Sequence, residues 1–331
     1  MTAAETLAAT FNRPLKDVAS LGDARFAGIY SPVYDAEEVK RYMSSYYESE
    51  EGAEGQDAKF NLNDYYRGLL REAMERTGGI GNAGTSPLIL EIGCGFGSAT
   101  FPLLELFPQS RIVASEFSLS MLRVLKGKLA ASAHASRCAL RQLNAEDMDF
   151  RPGSFDLVVG AAVLHHLFHP EKVIESCAQL LKPGGRAIFF EPFESGMDII
   201  GLIYAEILRD PRLWLRDPRK RRYVRHSINY WQQMRGADKA APFFQGADDK
   251  WLFTPAYFEK LRERFGYRAC IQFPLEKSSK PFAALVKTHM EGNGFKSIPN
   301  WIWKIVDRYE NAFSDEMKQS LFTEGGIVFQ K

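Results

Sequence analysis

Long apolar runs are missing from this chain of 331 residues. No stretch approaches the ~18 consecutive apolar residues that a membrane-spanning helix needs. The first residues, Met1-Thr2-Ala3-Ala4-Glu5, carry no basic segment followed by an apolar core, so no secretion signal is expected. Cysteine is scarce: Cys94, Cys138, Cys177 and Cys270 are scattered without C-x-x-C spacing. That excludes an obvious disulfide or zinc framework and fits reduced thiols in a soluble, cytoplasmic protein. Excess charge of one sign is lacking too, and a net charge of +1 gives no global attraction for nucleic acid. No internal repeat is evident. A composition of 45% hydrophobic, 25% charged and 13% aromatic residues is that of an ordinary globular protein, one large domain or a core with appendages.

What is present centres on Ile89-Leu90-Glu91-Ile92-Gly93-Cys94-Gly95-Phe96-Gly97. The apolar run Leu88 to Ile92 predicts a buried strand that stops at three alternating glycines. From Ser98 a helical pattern opens, with Leu103, Leu104 and Leu106 on its apolar side. Strand, glycine turn and helix together make a ligand site at the carboxyl end of the first strand of an α/β sheet. The dinucleotide fingerprint G-x-G-x-x-G wants a further glycine where Ser98 stands, which speaks against a NAD enzyme.

The spacing here is instead E-x-G-x-G-x-G, from Glu91 through Gly93 and Gly95 to Gly97, and it resembles motif I of the class I S-adenosylmethionine (SAM) methyltransferases. The resemblance continues in order. Glu116 ends the next predicted strand, and Asn144-Ala145-Glu146-Asp147 follows the third. Leu164-His165-His166-Leu167 follows the fourth, and Leu181-Lys182-Pro183-Gly184-Gly185 precedes the fifth. It spans Pro87 to Pro192, about a third of the chain. It implies a Rossmann-like α/β sheet of seven strands, the last antiparallel, with a helical N-terminal region over residues 1–86. The SAM-binding domain then covers 87–331, with insertions at about 195–250 and 277–325.

The implied roles go motif by motif. Glu91, Gly93, Gly95 and Gly97 go with the methionine part of SAM. Glu116, 23 residues after Gly93, has the acidic type and spacing that meet ribose hydroxyls. The turn at Asn144, Ala145 and Glu146 goes with adenine. The family usually has aspartate where Asn144 stands, so which side chain makes that contact is open. His165 and His166 lie where acceptor and methyl group should meet, and imidazole is suited to take a proton there. Glu191, after the fifth strand, faces the same mouth. His165, His166 and Glu191 are therefore the candidate catalytic residues, with packing roles the alternative for each. No cluster requires a metal. The turn Gly160-Ala161-Ala162-Val163 lacks the Asn/Asp-Pro-Pro-Tyr/Phe sequence of adenine-N6 and glutamine methylases, which disfavours those substrates.

Outside this frame the order is helix at Asp35 to Glu48, acidic loop, helix at Asp64 to Arg76 capped by Asn63, and glycine-rich linker. Tyr46, Tyr47, Tyr65 and Tyr66 are candidates to meet the methionine end of SAM. The stretch 209–225 holds eight basic residues (Arg209, Arg212, Arg216, Arg219, Lys220, Arg221, Arg222 and Arg225). It is either a solvated face or a surface for an anionic acceptor, a carrier protein or acidic lipid. Two stretches compete for the closing strand, 282–287 and 326–330, and the second has the better strand pattern. The motifs look most like those of quinone and natural-product (secondary-metabolism) methyltransferases. The expected activity is methyl transfer from SAM to an oxygen, or a carbon or nitrogen, of a small-molecule metabolite. A non-catalytic SAM-binding scaffold, or other SAM chemistry on the same fold, is the alternative.

Overall fold

A computed structural model describes residues 5, 9–12, 15–21, 24–32, 34, 62–79, 86–212, 218–235, 239, 241–245 and 247–331. Nine strands form one sheet: β1 (Lys16–Asp17), β2 (Ile29–Ser31), β3 (Leu88–Ile92), β4 (Arg111–Glu116), β5 (Cys138–Gln142), β6 (Phe155–Ala161), β7 (Leu181–Pro192), β8 (Ala269–Pro274) and β9 (Glu324–Gln330). Their spatial order is β1-β2-β5-β4-β3-β6-β7-β9-β8. From β5 to β8 this contains the seven expected strands, and β9 runs antiparallel to both β7 and β8. The 326–330 segment is thus the closing strand, whereas 282–287 lies in the helix Pro281–Gly292.

The two additional strands, both in the N-terminal arm, correct the expected count of seven. β2 pairs parallel with β5, and β1 pairs antiparallel with β2, so the N-terminal arm covers an edge of β5 that would otherwise present unpaired backbone groups. Lys182-Pro183-Gly184-Gly185 is not a turn before the fifth strand but an irregularity within it. Leu181 pairs with Phe155, pairing resumes at Arg186 with Leu157, and Gly184 takes φ 81°.

Successive residues of a strand point to opposite faces, and here both faces are covered. Leu90, Ile92, Val113 and Val158 join one core. Ile89, Ile112, Ala114, Leu157 and Val159 join the other. Burial on both sides is why these strands read as unbroken apolar runs. The connecting helices begin and end where their caps dictate. Ser118 accepts from Met121 N at the start of Leu119–Ala130. Thr254 accepts from Tyr257 N ahead of Pro255–Phe265, and Gly266, in the left-handed region, ends it. Asn63 is the first residue of the helix Asn63–Thr77 rather than its cap, and no side chain caps that end. The expected helix at 35–48, with Tyr46 and Tyr47, lies outside the described residues.

A third core stands apart from the sheet. Met197, Ile200, Ile203, Tyr204 and Ile207 from helix Glu194–Arg209 pack with Val224 and Trp231 from Pro218–Met234. Phe282, Val286, Ile302 and Ile305 of the second helical segment complete it. The two stretches set apart in the sequence, 195–250 and 277–325, are therefore one helical unit at the carboxyl end of β7 and the amino end of β9. The helix Pro218–Met234 turns Val224, Ser227, Trp231 and Met234 inward, which leaves Arg219, Arg222 and Arg225 on its outer side. Arg216 lies outside the described residues. Among the described residues no helix is long and apolar enough to cross a membrane.

Candidate functional site

The glycine turn after β3 is shaped by contacts on two sides. Gly93, Gly95 and Gly97 all have positive φ, at 67°, 51° and 95°, the region that glycine alone enters freely. A Cβ on Gly93 would lie 2.7 Å from a methyl of Val163, and one on Gly97 would lie 2.6 Å from Leu125. One on Gly95 would meet nothing within 4 Å, so the backbone there borders open space. Beneath the turn, Thr100 Oγ1 donates to the buried Glu91 carboxyl at 2.6 Å. Burial raises the Glu91 pKa to about 8. Glu116 stands across from the turn and accepts from Gly95 N at 3.1 Å, Phe117 N at 2.7 Å and Ser118 N at 3.0 Å. Burial raises its pKa against those three bonds.

The turn after β5 is knit differently from expectation. Asn144 Oδ1 accepts from Glu146 N at 3.0 Å, and Asn144 N donates to the hydroxyl of Tyr34 at 2.9 Å. The Tyr34 ring meets Phe117 edge-on at 5.1 Å. Tyr34 from the N-terminal arm therefore holds the backbone of the turn that the resemblance assigns to adenine. Nothing in the sequence near residue 34 signals this. Ala145 is buried in the core below. Glu146 points elsewhere: its carboxylate accepts from Phe168 N at 2.7 Å and His169 N at 3.0 Å, and so braces the loop after β6.

That loop carries the histidines. Ala162 takes φ 53°, uncommon for a residue with a Cβ, and its N–H donates to Phe190 O at 3.0 Å. Glu191 organises the next three residues. One carboxylate oxygen accepts from Val163 N (3.0 Å) and Leu164 N (2.8 Å). The other accepts from His165 N at 3.2 Å and lies 2.6 Å from His165 Nδ1. Glu191, at the end of β7, thereby positions the loop after β6. On the far side of the ring, His165 Nε2 faces Asp249 Oδ1 at 3.5 Å. Burial opposes a charge on His165, but the Glu191 and Asp249 carboxylates outweigh it and raise its pKa to about 10. His166, its ring 4.0 Å from that of His165, is pushed down by burial and by the neighbouring charge. Its Nδ1 lies 2.9 Å from Asp248 O and 3.4 Å from Asp249 Oδ1.

Sequence reasoning missed Asp249, which is 83 residues beyond His166. The pairing is made by the end of the first insertion, which returns along the loop after β6. Lys250 N donates to His165 O at 2.7 Å, Trp251 Nε1 to Leu167 O at 2.8 Å, and Phe253 N to Pro192 O at 3.0 Å. Beside it opens a cavity of about 320 Å³. Its lining includes the polar groups of His165, Glu191, Asp249, Glu324, Tyr65 and Tyr66 and the apolar side chains of Met197, Trp231, Met234 and Leu252. Tyr65 Oη and Glu324 are 3.5 Å apart. Two of the four tyrosines singled out in the sequence thus reach the site.

A family model described as a methyltransferase domain matches residues 90–187, the span that holds the glycine turn, Glu116, Asn144 and the histidine pair. The matched span is similar to a methyltransferase domain, as the motifs' resemblance to the class I SAM enzymes implies. Among proteins similar to the chain, demethylmenaquinone methyltransferase of Lactococcus lactis is 29% identical over 172 residues, 47% of this chain and 65% of that one. The ubiquinone/menaquinone biosynthesis C-methyltransferase of Stutzerimonas stutzeri is 32% identical over 137 residues, 40% of this chain and 54% of that one. An uncharacterized protein of Synechococcus sp. is 30% identical over 187 residues, 55% of this chain and 43% of that one. The chain therefore spans from 43% to 65% of the length of these relatives. Among solved structures, phosphoethanolamine N-methyltransferase 2 of Haemonchus contortus, in complex with S-adenosyl-L-methionine, matches the fold. Its TM-score is 0.54 at 14% identity, over 91% of this chain and 60% of that one.

SAM is the cofactor of the class I methyltransferase family, and the residues present fit it. The backbone at Gly95 borders open space, and Glu116 offers a carboxylate at the end of β4. The turn is also held against the loop that carries the acceptor-side residues, because Gly93 packs on Val163.

Proposed function

We propose that the protein transfers the methyl group of SAM to a small-molecule acceptor bound in the 320 Å³ cavity beside His165. The observation that carries the reading is a shared wall. The loop from Ala162 to His165 packs against the cofactor turn through Val163 and lines the acceptor cavity through Ala162 and His165. In this reading Gly93, Gly95 and Gly97 hold the methionine part of SAM and Glu91 supports that turn. Glu116 takes the ribose hydroxyls, and the turn from Asn144 through Glu146 frames the adenine, with Glu146 acting by bracing the next loop.

Bound SAM supplies an electrophilic methyl group on a sulfonium, and the chain's own residues supply position and dryness. Glu191 fixes the loop and the orientation of His165, which lines the acceptor pocket. His166 stands next to it as the residue that stays uncharged. The apolar side chains of Trp231, Met197 and Leu252 exclude water from the pocket. Alignment of two reactants in a water-poor pocket is the main source of rate for such a displacement. The helix Asn63–Thr77 closes one side through Tyr65 and Tyr66, in keeping with a cover formed by residues 1–86 over the domain 87–331. The motifs favour an oxygen of the acceptor, with carbon or nitrogen next.

Calorimetric titration with S-adenosylhomocysteine tests the cofactor half, with NAD as control. Micromolar binding, weakened at least tenfold by Glu116→Ala and absent for NAD, is expected. No binding to the wild type would overturn the site assignment. The acceptor half is tested by screening phenols, enols and amines for release of S-adenosylhomocysteine.

A further inference from the structure

Three nitrogen and oxygen ligands converge beside the cavity, two of them from its lining residues His165 and Asp249. His165, His166 and Asp249 each offer one ligand atom, and these atoms all lie within 4.8 Å of one another. Asp249 Oδ1 stands 3.5 Å from His165 Nε2 and 3.4 Å from His166 Nδ1. Those separations are long for charge-assisted hydrogen bonds, which close to about 2.7–2.9 Å. They do match the edge of a tetrahedron around a cation with bonds of about 2.1 Å to nitrogen and oxygen, an edge of about 3.4 Å.

The surroundings add an independent feature. His165 is clamped from behind by Glu191, whose carboxylate meets Nδ1 at 2.6 Å. Nδ1 is thereby made the protonated nitrogen, and Nε2 is aimed at the cluster. A carboxylate on the far nitrogen of an imidazole is the usual outer partner of a metal-bound histidine, because it fixes tautomer and orientation and raises ligand basicity. Glu191 is itself immobilised by three backbone amides. The clamp is therefore rigid before any ligand arrives.

We infer that His165, His166 and Asp249 form a binding site for one divalent transition-metal ion of the zinc class, with Glu191 as its outer partner and an open position toward the cavity. Two imidazoles and one carboxylate suit zinc or cobalt rather than calcium or magnesium, which prefer all-oxygen shells. Binding at His166 Nδ1 moves the proton now donated to Asp248 O at 2.9 Å to Nε2 of that ring, and binding at His165 Nε2 releases the proton held there when that ring is charged, since metals bind the deprotonated nitrogen. With three protein ligands, the remaining position is available to water or to a donor atom of a molecule in the cavity. This is the arrangement of catalytic rather than structural zinc sites.

The test uses untagged full-length protein, stripped with a chelator and titrated with Zn²⁺ by calorimetry and with Co²⁺ by visible absorption. One Zn²⁺ per chain at micromolar affinity or better is expected, together with the intense d–d bands of a four- or five-coordinate Co²⁺. Asp249→Ala and His166→Ala should each weaken binding at least tenfold, and Glu191→Gln by about tenfold or more. Asp249→Ala is the decisive variant, because this half-buried residue makes none of the loop's backbone bonds through its side chain. Its fold is checked by thermal melting. Absence of stoichiometric binding, an octahedral Co²⁺ spectrum, or binding unchanged in both Asp249→Ala and His166→Ala would overturn the site. The readout is the metal alone, so failure here is separate from failure of S-adenosylhomocysteine to bind.

Discussion

Glu91 and Glu191 differ by what surrounds their carboxylates. Glu191 accepts from three amides and faces an imidazole, whereas the buried Glu91 carboxyl receives the hydroxyl of Thr100 at 2.6 Å. Burial with so little compensation raises the Glu91 pKa from 4.5 to about 8. A proton held more tightly in the folded than in the unfolded chain contributes stability that is complete below the ordinary carboxylate pKa. That contribution is lost as pH rises toward the folded value. Replacing Glu91 by glutamine, which is neutral throughout, should therefore gain on the wild type between about pH 4.5 and pH 8 and level off above, by a few kcal/mol. Urea melts at about pH 5, 7 and 9 check this. A stability difference independent of pH would refute it.

The element that decides the closing edge of the sheet is β9, and two glycines set how it fits. Gly325 and Gly326 lie under aromatic rings: a Cβ on Gly326 would run into the ring of Phe273, and one on Gly325 would come within 2.5 Å of Phe193. Phe273 is the β8 partner directly opposite Gly326, so its ring folds across the sheet in the space a side chain would take. Gly326→Ala should cost about 1–3 kcal/mol through overpacking, read as a lower denaturant midpoint at unchanged slope. Retention of the wild-type midpoint would mean that the ring moves aside freely. The same close packing explains why Glu-Gly-Gly, weak as strand sequence, lies inside a strand.

At the scale of the molecule, the helical unit around Phe282 and Tyr204 has its own core. It supplies Met197, Trp231, Asp249 and Leu252 to the acceptor cavity but no wall of the glycine turn. Phe282 is fully buried there, and Phe282→Ala should cost about 3–5 kcal/mol. The loss should fall on acceptor turnover, leaving S-adenosylhomocysteine affinity within about twofold of the wild type. Parallel losses of both would mean that the unit and the SAM-binding sheet unfold together. The N-terminal arm couples the other way: Tyr34 and β2 lie against Asn144 and β5, on the cofactor side.

The parallel sheet, the glycine turn, Glu116 and the histidine pair were legible because each depends on a local pattern. Buried strands are apolar on both faces, positive φ calls for glycine, and a strand end is marked by the residue after it. Thr254, Pro255 and Gly266 mark the ends of the helix Pro255–Phe265 for the same local reason. The sequence alone also favoured 326–330 as the closing strand. Contacts between distant segments left no such mark. The pairing of β2 with β5, the turning of Tyr34 onto Asn144, the engagement of Glu146 with the loop after β6, and the merging of two insertions into one helical unit all arise when the chain closes on itself. So does the meeting of Asp249 with His165 and His166, which depends on backbone hydrogen bonds between residues 250–253 and segments some sixty to eighty-five positions earlier. Local pattern determined the cofactor half of this protein, because its chemistry rests on one turn and the strands beside it. The cavity beside His165 was decided by tertiary structure, because its lining groups come from separate stretches of chain between Tyr65 and Glu324.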